Sequence, residues 1–315
     1  MNKHVAPGAD APRVLSRTYP EGMRLSEAER AALPDIQNGT APAWARRAIR
    51  HVGISNIRLP LAWPLEAGPM LLETTATGTV GLAAGAKGIN MSRLMRTLYA
   101  AAEGREGWEM ADAALDGYLA DHDAAEARLA LTANVPLRVP ALRSGLEGWQ
   151  YYRVQMEGRR GGGPERVLHL DYVYSSTCPC SLELSEHARD TRGQMAVPHS
   201  QRSVARVSAE LASDLSVERL VAICREAIPT ETQVMVKRED EQAFAELSGA
   251  NPIFVEDAAR LLAEGLEGER AVGGYRVACS HQESLHSHDA VAVMARGAFD
   301  AAPGPYEFGT LVHPG

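Results

Sequence analysis

Two neighbouring segments, SVARVSAEL at residues 203–211 and VERLVAICREAI at residues 217–228, carry the patterns from which we predict the fold. The first has the valine-rich pattern of a strand. The second predicts an amphipathic helix, because its apolar side chains fall on one stripe: Leu220, Val221, Ile223, Cys224 and Ile228. Runs of strands followed by runs of helices indicate an α+β fold.

The segments around this pair extend the pattern into an order of elements that occurs twice. In the second half, residues 166–175 predict a strand before the pair, and a short strand, two helices and two strands follow it: 232–237, 239–247, 252–264, 275–280 and 290–295. The first half shows two strands, two helices and two strands: 54–61, 70–82, 92–103, 109–121, 129–139 and 148–155. The glycine-rich residues 159–164 predict a hairpin tip between the halves.

This repeated order predicts two modules, although no residue-level repeat accompanies it. We place the modules at residues 51–160 and 161–300, with most candidate catalytic residues in the second. Residues 1–50 form an N-terminal arm and residues 301–315 a C-terminal tail. Within the arm, we predict a short amphipathic turn from Ser26 to Leu33 and a helical stretch near Trp44 to Ile49.

The composition limits the classes of function. The chain has 315 residues, 45% of them apolar, and its 32 basic and 40 acidic residues give a formal net charge of −8. This charge argues against non-specific nucleic-acid binding, whereas a local basic cluster can still hold an anionic small molecule. The sequence has no run of 18 apolar residues, no apolar N-terminal stretch and only four cysteines. We therefore expect a cytoplasmic protein with free thiols and no membrane partner.

The densest cluster of titratable side chains is SHQESLHSHD at residues 280–289, between the last two predicted strands. Its three imidazoles and two carboxylates can ligate a metal ion or relay protons. On an extended segment, His286 and His288 would face the same side and act on one substrate. The alternative is a solvated hairpin loop.

A second cluster is Cys178-Pro179-Cys180 with its flanking hydroxyl residues, which lacks the spacing of a zinc knuckle. It can place one thiolate on a metal ion and leave the other nearby as an acid, base or nucleophile. The alternative is a chance pair of buried cysteines, which the proline and the hydroxyl side chains disfavour.

Four further segments carry weaker signals: His199 to Ser203, the charge run Lys237 to Glu241, the helix start around Glu256, and Lys87 to Arg93. In the last, backbone amides at a helix start and two basic side chains can hold phosphate oxygens. Each segment has an ordinary alternative, namely a surface loop, a solvated helix start, a first-turn acid or a capped turn. The sequence has no Walker lysine motif, no Rossmann glycine triplet and no serine-hydrolase elbow, which disfavours nucleotide-dependent kinases, dehydrogenases and serine esterases.

Taken together, five of these motifs resemble those of the type IB GTP cyclohydrolases, the prokaryotic enzymes that begin folate synthesis. The motifs are STCPCS at residues 176–181, His199 with QRS at 201–203, KREDE at 237–241, FVED at 254–257 and ESLHSH at 283–288. The likeness runs from about Asp35 to the strand after His288. Five motifs of mixed character in one order are difficult to obtain by chance.

The resemblance implies a fold and a reaction. The fold is the tunnelling fold, in which tandem modules of antiparallel sheet carry helices on one face and assemble into barrels between subunits. It also implies a homotetramer with active sites at subunit interfaces. The implied reaction opens the imidazole ring of GTP, releases formate, rearranges the ribose and closes a pterin, giving 7,8-dihydroneopterin triphosphate.

The resemblance further implies roles for individual residues. One divalent metal ion per site (manganese, ferrous iron or zinc) would be bound by Cys178, His199 and Glu241, with no organic cofactor. Glu256 would anchor guanine by accepting hydrogen bonds from its ring N–H and exocyclic amine. The implied catalytic residues are Cys178, Cys180, Glu283, His286 and His288. The candidates for binding the triphosphate are Lys87, Arg93, Arg202, Lys237 and Arg238.

Two features depart from the family pattern. Asn90 stands where the family usually has His, and asparagine does not shuttle protons at neutral pH. The interval between Cys180 and His199 is longer than in some relatives, so we expect a loop extension over residues 183–197. Two alternatives therefore stay open: an enzyme of the same fold that acts on another purine or pterin, and a non-catalytic protein that binds metal or nucleotide.

Overall fold

A computed structural model describes residue 18, residues 21–34, residue 44, residues 46–304 and residues 307–310. The chain divides into two compact units, residues 1–40 and 41–315. The described part of the first unit contains one helix, α1 (Glu27–Ala31), in the place of the predicted amphipathic turn. The Ser26 hydroxyl accepts a hydrogen bond from the Glu29 backbone N–H, and the Glu29 carboxylate accepts one from the Ser26 N–H, which closes a capping box.

The second unit is built on one sheet of eight strands. Each strand pairs antiparallel with the next one along the chain, so the order in space equals the order in sequence. The strands are β1 (Ile49–Trp63), β2 (Met70–Leu82), β3 (Ala127–Pro140), β4 (Glu147–Arg160), β5 (Arg166–Thr177), β6 (Ser200–Leu211), β7 (Val272–His281) and β8 (Ala290–Arg296). The predicted α+β class with antiparallel pairing is confirmed.

The three long connections, β2–β3, β5–β6 and β6–β7, contain the α-helices of this unit. They are α2 (Met91–Ala102) and α3 (Gly107–His122) after β2, α4 (Pro179–Arg192) after β5, and α5 (Val217–Ala227), α6 (Arg238–Ala250) and α7 (Val255–Gly268) after β6. A short 3₁₀ helix (Phe308–Thr310) follows near the C-terminus. Apart from α4, which lies between β5 and β6 and was not predicted, each half runs strand, strand, helices, strand, strand.

The main core lies between the helices and one face of the sheet. Along β5, for example, Leu168, Leu170 and Tyr172 belong to this core, whereas the alternate residues face the other way. Leu262 and Leu266 of α7 are completely buried in it, and burial of each such side chain contributes about 1.5–3 kcal/mol. On the other face, the described residues form only a small apolar cluster: Val173, Val204 and Ala278. The prediction that the helices lie on one face is confirmed.

The two ends of the sheet hold different predicted residues. Cys178 directly follows the end of β5, whereas Lys87 follows the end of β2. The register shows that β2 ends beside the start of β5, through the pairs Val80 with Ala127, Ala127 with Arg160, and Gly158 with Arg166. Since a strand rises about 3.3 Å per residue, the length of β5 separates these ends by roughly 35–40 Å. We call them the Cys178 end and the Lys87 end.

Three local predictions are wrong. The predicted loop extension over residues 183–197 is helical up to residue 192, because residues 179–192 form α4, and only residues 193–197 lie in a loop. Residues 232–237 form no strand; the neighbouring Glu231 makes only an isolated bridge to Tyr174. The described residues of the predicted helix near Trp44 to Ile49 are not helical, and Ile49 begins β1.

The boundary between the predicted modules, at residues 160 and 161, lies within the β4–β5 hairpin, and these two strands pair with each other. The division into modules stays a prediction. Among the residues described, no helix is both long enough and apolar enough to cross a membrane.

Candidate active site at the Cys178 end

Cys178 occupies the junction between β5 and α4. It is the N-cap of α4, and Pro179 fills the first helical position, where its missing N–H and fixed φ favour the helix start. The Cys178 thiol is partly exposed and the Cys180 thiol is exposed, and neither forms a disulfide. The strand end therefore presents two free thiols at the start of a helix.

His199 lies beside Cys178 on the neighbouring strand. The Cys178 backbone N–H donates to the His199 carbonyl at 3.2 Å, which extends the β5–β6 pairing beyond the last strand residues. The His199 N–H in turn donates to the Ser181 hydroxyl at 3.1 Å, so the first turn of α4 is attached to the start of β6. The structure thus brings two of the three predicted metal ligands to adjacent backbone positions.

A buried network fixes the His199 ring. Gln201 donates from Nε2 to the Ser176 hydroxyl at 2.8 Å, and its Oε1 lies 3.0 Å from His199 Nδ1. The Ser176 hydroxyl also bonds the Ser203 hydroxyl at 2.7 Å. With its amide nitrogen used on Ser176, Gln201 offers His199 an oxygen, so Nδ1 must carry the proton. The lone pair of the neutral ring then resides on Nε2, the nitrogen suited to bind a metal ion or to accept a proton.

Glu283 joins this network from the loop between β7 and β8. Its carboxylate Oε2 lies 3.5 Å from His199 Nδ1, and both side chains are largely buried, at 13% and 17% exposed. The neighbouring Ser284 hydroxyl donates to the Ser200 carbonyl at 3.3 Å, which attaches the loop to β6. Glu283 therefore lies beside His199, at the same end of the sheet as Cys178.

The three histidines of the sequence cluster separate into two environments. His286 and His288 lie in the exposed β7–β8 loop with their rings stacked, 4.7 Å between centroids and 9° between planes. His281, the last residue of β7, is buried, and its Nε2 lies 2.9 Å from the Tyr174 hydroxyl. Burial lowers the pKa of His281 to about 4, so this ring is neutral near pH 7.

Helix α6 begins at the same end of the sheet. Its buried Asp240 accepts hydrogen bonds from the backbone N–H groups of Arg143, Ser144 and Lys237 at 2.8, 2.9 and 2.8 Å. Desolvation would raise the pKa of Asp240, but these bonds and one from the Ser144 hydroxyl outweigh it and hold that pKa well below its usual value. Asp240 therefore attaches α6 to the β3–β4 loop, whereas the neighbouring Glu241 is exposed.

Helix α7 also starts next to Cys178. The Ile253 N–H donates to the Thr177 carbonyl at 3.0 Å, which places the turn before α7 against the end of β5. Glu256 follows in the first turn of α7, two residues after the N-cap Phe254, and both side chains are exposed. An exposed carboxylate and an exposed aromatic ring at one helix start suit a planar base with two N–H donors.

The basic residues predicted for the triphosphate do not lie together. Lys237 and Arg238 are exposed at the start of α6, at the Cys178 end. Arg202 is exposed on β6, where strand alternation places it on the face opposite His199 and Gln201. Lys87 and Arg93 lie at the Lys87 end.

The segment at the Lys87 end makes contacts of its own. Arg93 Nη1 donates to the Asp121 carbonyl at 3.0 Å, near the end of α3. Asn90, the N-cap of α2, is half-buried and accepts a hydrogen bond from the Ser92 hydroxyl at 2.7 Å. Within one chain, the structure thus does not bring Lys87 and Arg93 to Cys178.

The donor set of the predicted metal site is incomplete in this geometry. The residues described contain no group of three His, Cys, Asp or Glu side chains placed to hold a metal ion. The sulfur of Cys178 and the Nε2 of His199 have the donor chemistry of zinc, iron or manganese sites, but Glu241 does not complete a set with them in this geometry. The metal assignment to Cys178, His199 and Glu241 stays a prediction.

Sequence reasoning missed the residues that orient His199. Ser176, Ser181 and Gln201 belong to motifs named above, but no role was assigned to them. The signal available was the spacing of His199, Gln201 and Ser203, since alternate residues of a strand share a face. The partner Ser176 becomes visible only with the register that pairs it with Gln201.

Comparisons with known proteins bear on this site. A family model described as type I GTP cyclohydrolase folE2 matches residues 33–292. Proteins called "GTP cyclohydrolase FolE2" in Ruegeria sp. (strain TM1040) and Jannaschia sp. (strain CCS1) are each 56% identical to this chain, covering 96% of it and 84% and 85% of themselves. One in Roseobacter denitrificans (strain ATCC 33942 / OCh 114) is 52% identical, covering 99% and 88%. Among solved structures, the uricase from Arthrobacter globiformis aligns with 81% of this chain and 96% of its own, at a TM-score of 0.46 and 10% identity.

Proposed function

This chain belongs to the FolE2 family of type I GTP cyclohydrolases, and from that premise we propose that it converts GTP and water to 7,8-dihydroneopterin triphosphate and formate in folate biosynthesis. The observation that carries the proposal is the meeting of Cys178, His199 and Glu283 at one end of the sheet, directly beside the start of α7. A thiol, an oriented imidazole and a carboxylate next to an exposed base-binding carboxylate provide the groups that ring opening needs.

Guanine recognition falls to Glu256. Its carboxylate can accept from the ring N–H and the exocyclic amine of guanine together, a pattern that adenine does not offer. Because α7 is attached to the end of β5, a base held by Glu256 would lie next to Cys178 and His199. Selectivity for guanine over adenine follows, since adenine would leave the carboxylate unpaired.

We assign a divalent metal ion to Cys178 and His199, with Glu241 as the third donor in the loaded protein. The support is the Nδ1 proton of His199, held by Gln201, which leaves Nε2 as a donor. A divalent cation there supplies a Lewis acid that makes water nucleophilic near neutral pH.

Proton transfers fall to Cys180, Glu283, His286 and His288. Glu283 is already in contact with His199 and can stabilise positive charge on that ring. The stacked His286 and His288 lie in the same loop, a few residues further on, and are open to solvent. They can therefore exchange protons between the site and water.

The complete site needs a second copy of the chain, in the predicted homotetramer with barrels between subunits. Lys87 and Arg93 lie roughly 35–40 Å along the sheet from Cys178, too far for the triphosphate of the same nucleotide. A partner whose Lys87 end meets this Cys178 end would supply these residues. Lys237 and Arg238 already lie at the Cys178 end and are the candidates from the same chain.

Product analysis tests the proposal. GTP is incubated with protein loaded with Mn²⁺, Fe²⁺ or Zn²⁺, and formate and the fluorescence of the oxidised pterin are measured. We expect both products, and a loss of at least about 100-fold in kcat/KM for Glu256→Gln. Glu264→Gln, an exposed carboxylate on the same helix, is the matched control and should keep full activity. Absence of formate with every metal ion would contradict the proposal, and binding without turnover would favour a non-catalytic protein.

One observation favours a second candidate, an enzyme of this fold that acts on another purine or pterin. Asn90 occupies the N-cap position of α2 and is half-buried, at the place where the family resemblance has an imidazole. We expect Asn90→His to raise GTP turnover if the natural substrate is GTP. Unchanged GTP turnover, together with turnover of a different purine by the unaltered protein, would favour the second candidate.

A further inference from the structure

The face of the sheet that carries no helices is charged rather than apolar. On β3 to β7, the residues that alternate with the core residues include Arg128, Arg153, Glu157, His169, Asp171, Arg206 and Arg276. They surround a cavity of about 390 Å³, within the range of about 300–1,000 Å³ typical of small-molecule sites. In the part of the chain that the structure describes, five arginines line this cavity: Arg128, Arg153, Arg159, Arg206 and Arg276.

Carboxylates neutralise only part of this charge. Glu157 is shared, because it accepts a bidentate pair from Arg128 at 2.8 and 2.7 Å and a further bond from Arg159 at 2.5 Å. Asp171 accepts a bidentate pair from Arg206 at 2.7 and 2.8 Å. Arg276 is paired with Glu307 from the C-terminal segment. Five guanidinium groups therefore face three carboxylates.

Burial would raise the pKa of Glu157, but the bonds from Arg128 and His169 and the charges of Arg128 and Arg159 hold that pKa well below its usual value. Glu157 is therefore fully ionised near neutral pH. The excess of positive charge in the cavity remains even with this carboxylate counted as an anion.

The excess charge lies where an anion can reach it. Arg153 is exposed, and among the described residues its guanidinium group has neither an ion pair nor a hydrogen bond. Arg128 and Arg159 are opposite each other in the β3–β4 register, and both bond the one carboxylate of Glu157, which offsets only part of the repulsion between two like charges. His169 adds a ring to the same wall, with Nδ1 2.7 Å from the Ser208 hydroxyl and Nε2 3.6 Å from a carboxylate oxygen of Glu157.

We propose that this cavity is a binding site for a small multivalent oxyanion, such as a phosphate ester, separate from the candidate active site. Guanidinium forks match the geometry of phosphate oxygens, and Ser208 and Gln155 supply neutral partners on the same wall. The site lies on the face opposite His199. His169 is nine residues before Cys178 along β5, or about 30 Å. The inference goes beyond the proposed function and needs no catalytic turnover.

Calorimetric titration with inorganic pyrophosphate, without GTP and at constant ionic strength, tests the site. We expect saturable binding, weakened about tenfold in Arg153→Gln, since this loses one charge-assisted hydrogen bond. Arg58→Gln is the matched control, an exposed arginine on β1 paired with Glu73, and should bind as the unaltered protein does. Arg238→Gln removes a candidate triphosphate ligand and should also leave this binding event intact. Arg159→Gln is a second variant of the cavity itself.

The titration also separates the sources of the anion. Citrate, in place of pyrophosphate, distinguishes a site for any multivalent oxyanion from one specific for phosphate, and either result supports the cavity as an anion site. Absence of binding, or equal affinities in Arg153→Gln, Arg159→Gln and the unaltered protein, would overturn the proposal. A change in oligomeric state of Arg153→Gln without any pyrophosphate binding would also overturn it, because the arginines would then contact acidic groups of a second copy.

Discussion

The two ends of the sheet differ in what their polar side chains already do. At the Cys178 end, the His199 ring is oriented by Gln201, faces Glu283 and keeps Nε2 as a lone-pair donor, next to two free thiols. At the Lys87 end, Arg93 is bonded to the end of α3, and Asn90 caps α2. We propose that one end supplies groups for bond breaking and the other supplies groups for anion binding. A nucleotide needs both, so we infer that two chains form each site.

The largest expected effect on activity comes from replacing Cys178, a proposed metal ligand. We expect Cys178→Ala to lower kcat/KM for GTP by about 1,000-fold or more. The reason is that it removes a proposed metal ligand itself, and not a residue that only orients a ligand. Cys224→Ala is the matched control, since this buried cysteine on α5 belongs to the core. Steady-state kinetics of the two metal-loaded variants make the measurement. Equal kcat/KM values for Cys178→Ala and Cys224→Ala would mean that Cys178 takes no part in the reaction.

Mixing two inactive variants tests whether the ends meet between chains. Cys178→Ala has a defective Cys178 end and Lys87→Glu a defective Lys87 end. If each site takes one end from each of two chains, random mixing restores about a quarter of the sites. The variants are unfolded together, refolded and assayed for formate. Mixed protein no more active than the two variants refolded separately would contradict sites shared between chains.

Most of the fold could be predicted from the sequence because its strands and helices have strong apolar periodicity. Helix α4 could not, since its only buried residues are Ser185 and Ala188 and no apolar stripe marks it. Its ends are set by Pro179 at the start and by Gly193, which takes a left-handed φ of 63° at the C-cap. The false strand at residues 232–237 shows the reverse error, because its two valines are exposed and the pairing with β5 stops at the isolated bridge between Glu231 and Tyr174.

The candidate site was predicted in part. The motifs containing Cys178, His199 and Glu283 were identified, and the fold brings these residues together. The sequence could not distinguish His281 from His286 and His288, since their separation depends on where β7 ends and on the Tyr174 contact across the sheet. Nor could it reveal the arginine-lined cavity, whose residues come from five strands and meet only through the strand register.

A smaller effect is expected from the network that orients His199. Gln201→Leu removes the acceptor of the Nδ1 proton and one of the two hydrogen bonds of the Ser176 hydroxyl, and the bond to Ser203 remains. We expect metal affinity to fall about 10- to 100-fold, the range found for groups that support a metal-binding histidine. Competition with a chelating dye measures this without turnover. Gln201→Glu keeps an acceptor for Nδ1 and should restore most of the affinity, whereas equal losses in both variants would indicate a packing defect instead.

The last prediction concerns stability rather than activity, and it contrasts His281 with His199 on the neighbouring strand. His281 has a folded pKa of about 4, below the value of about 6.5 in an unfolded chain. Between these values the unfolded state binds more protons, so the stabilisation is complete above pH 6.5 and is lost as the pH falls towards 4. The loss amounts to about 3 kcal/mol at most. The free energy of unfolding is measured with urea at pH 7.5 and at pH 4.5. We expect it to decrease less between these two pH values in His281→Gln than in the unaltered protein, because glutamine keeps a polar partner for Tyr174 but does not titrate. The same decrease in both proteins would mean that other groups cause the acid sensitivity.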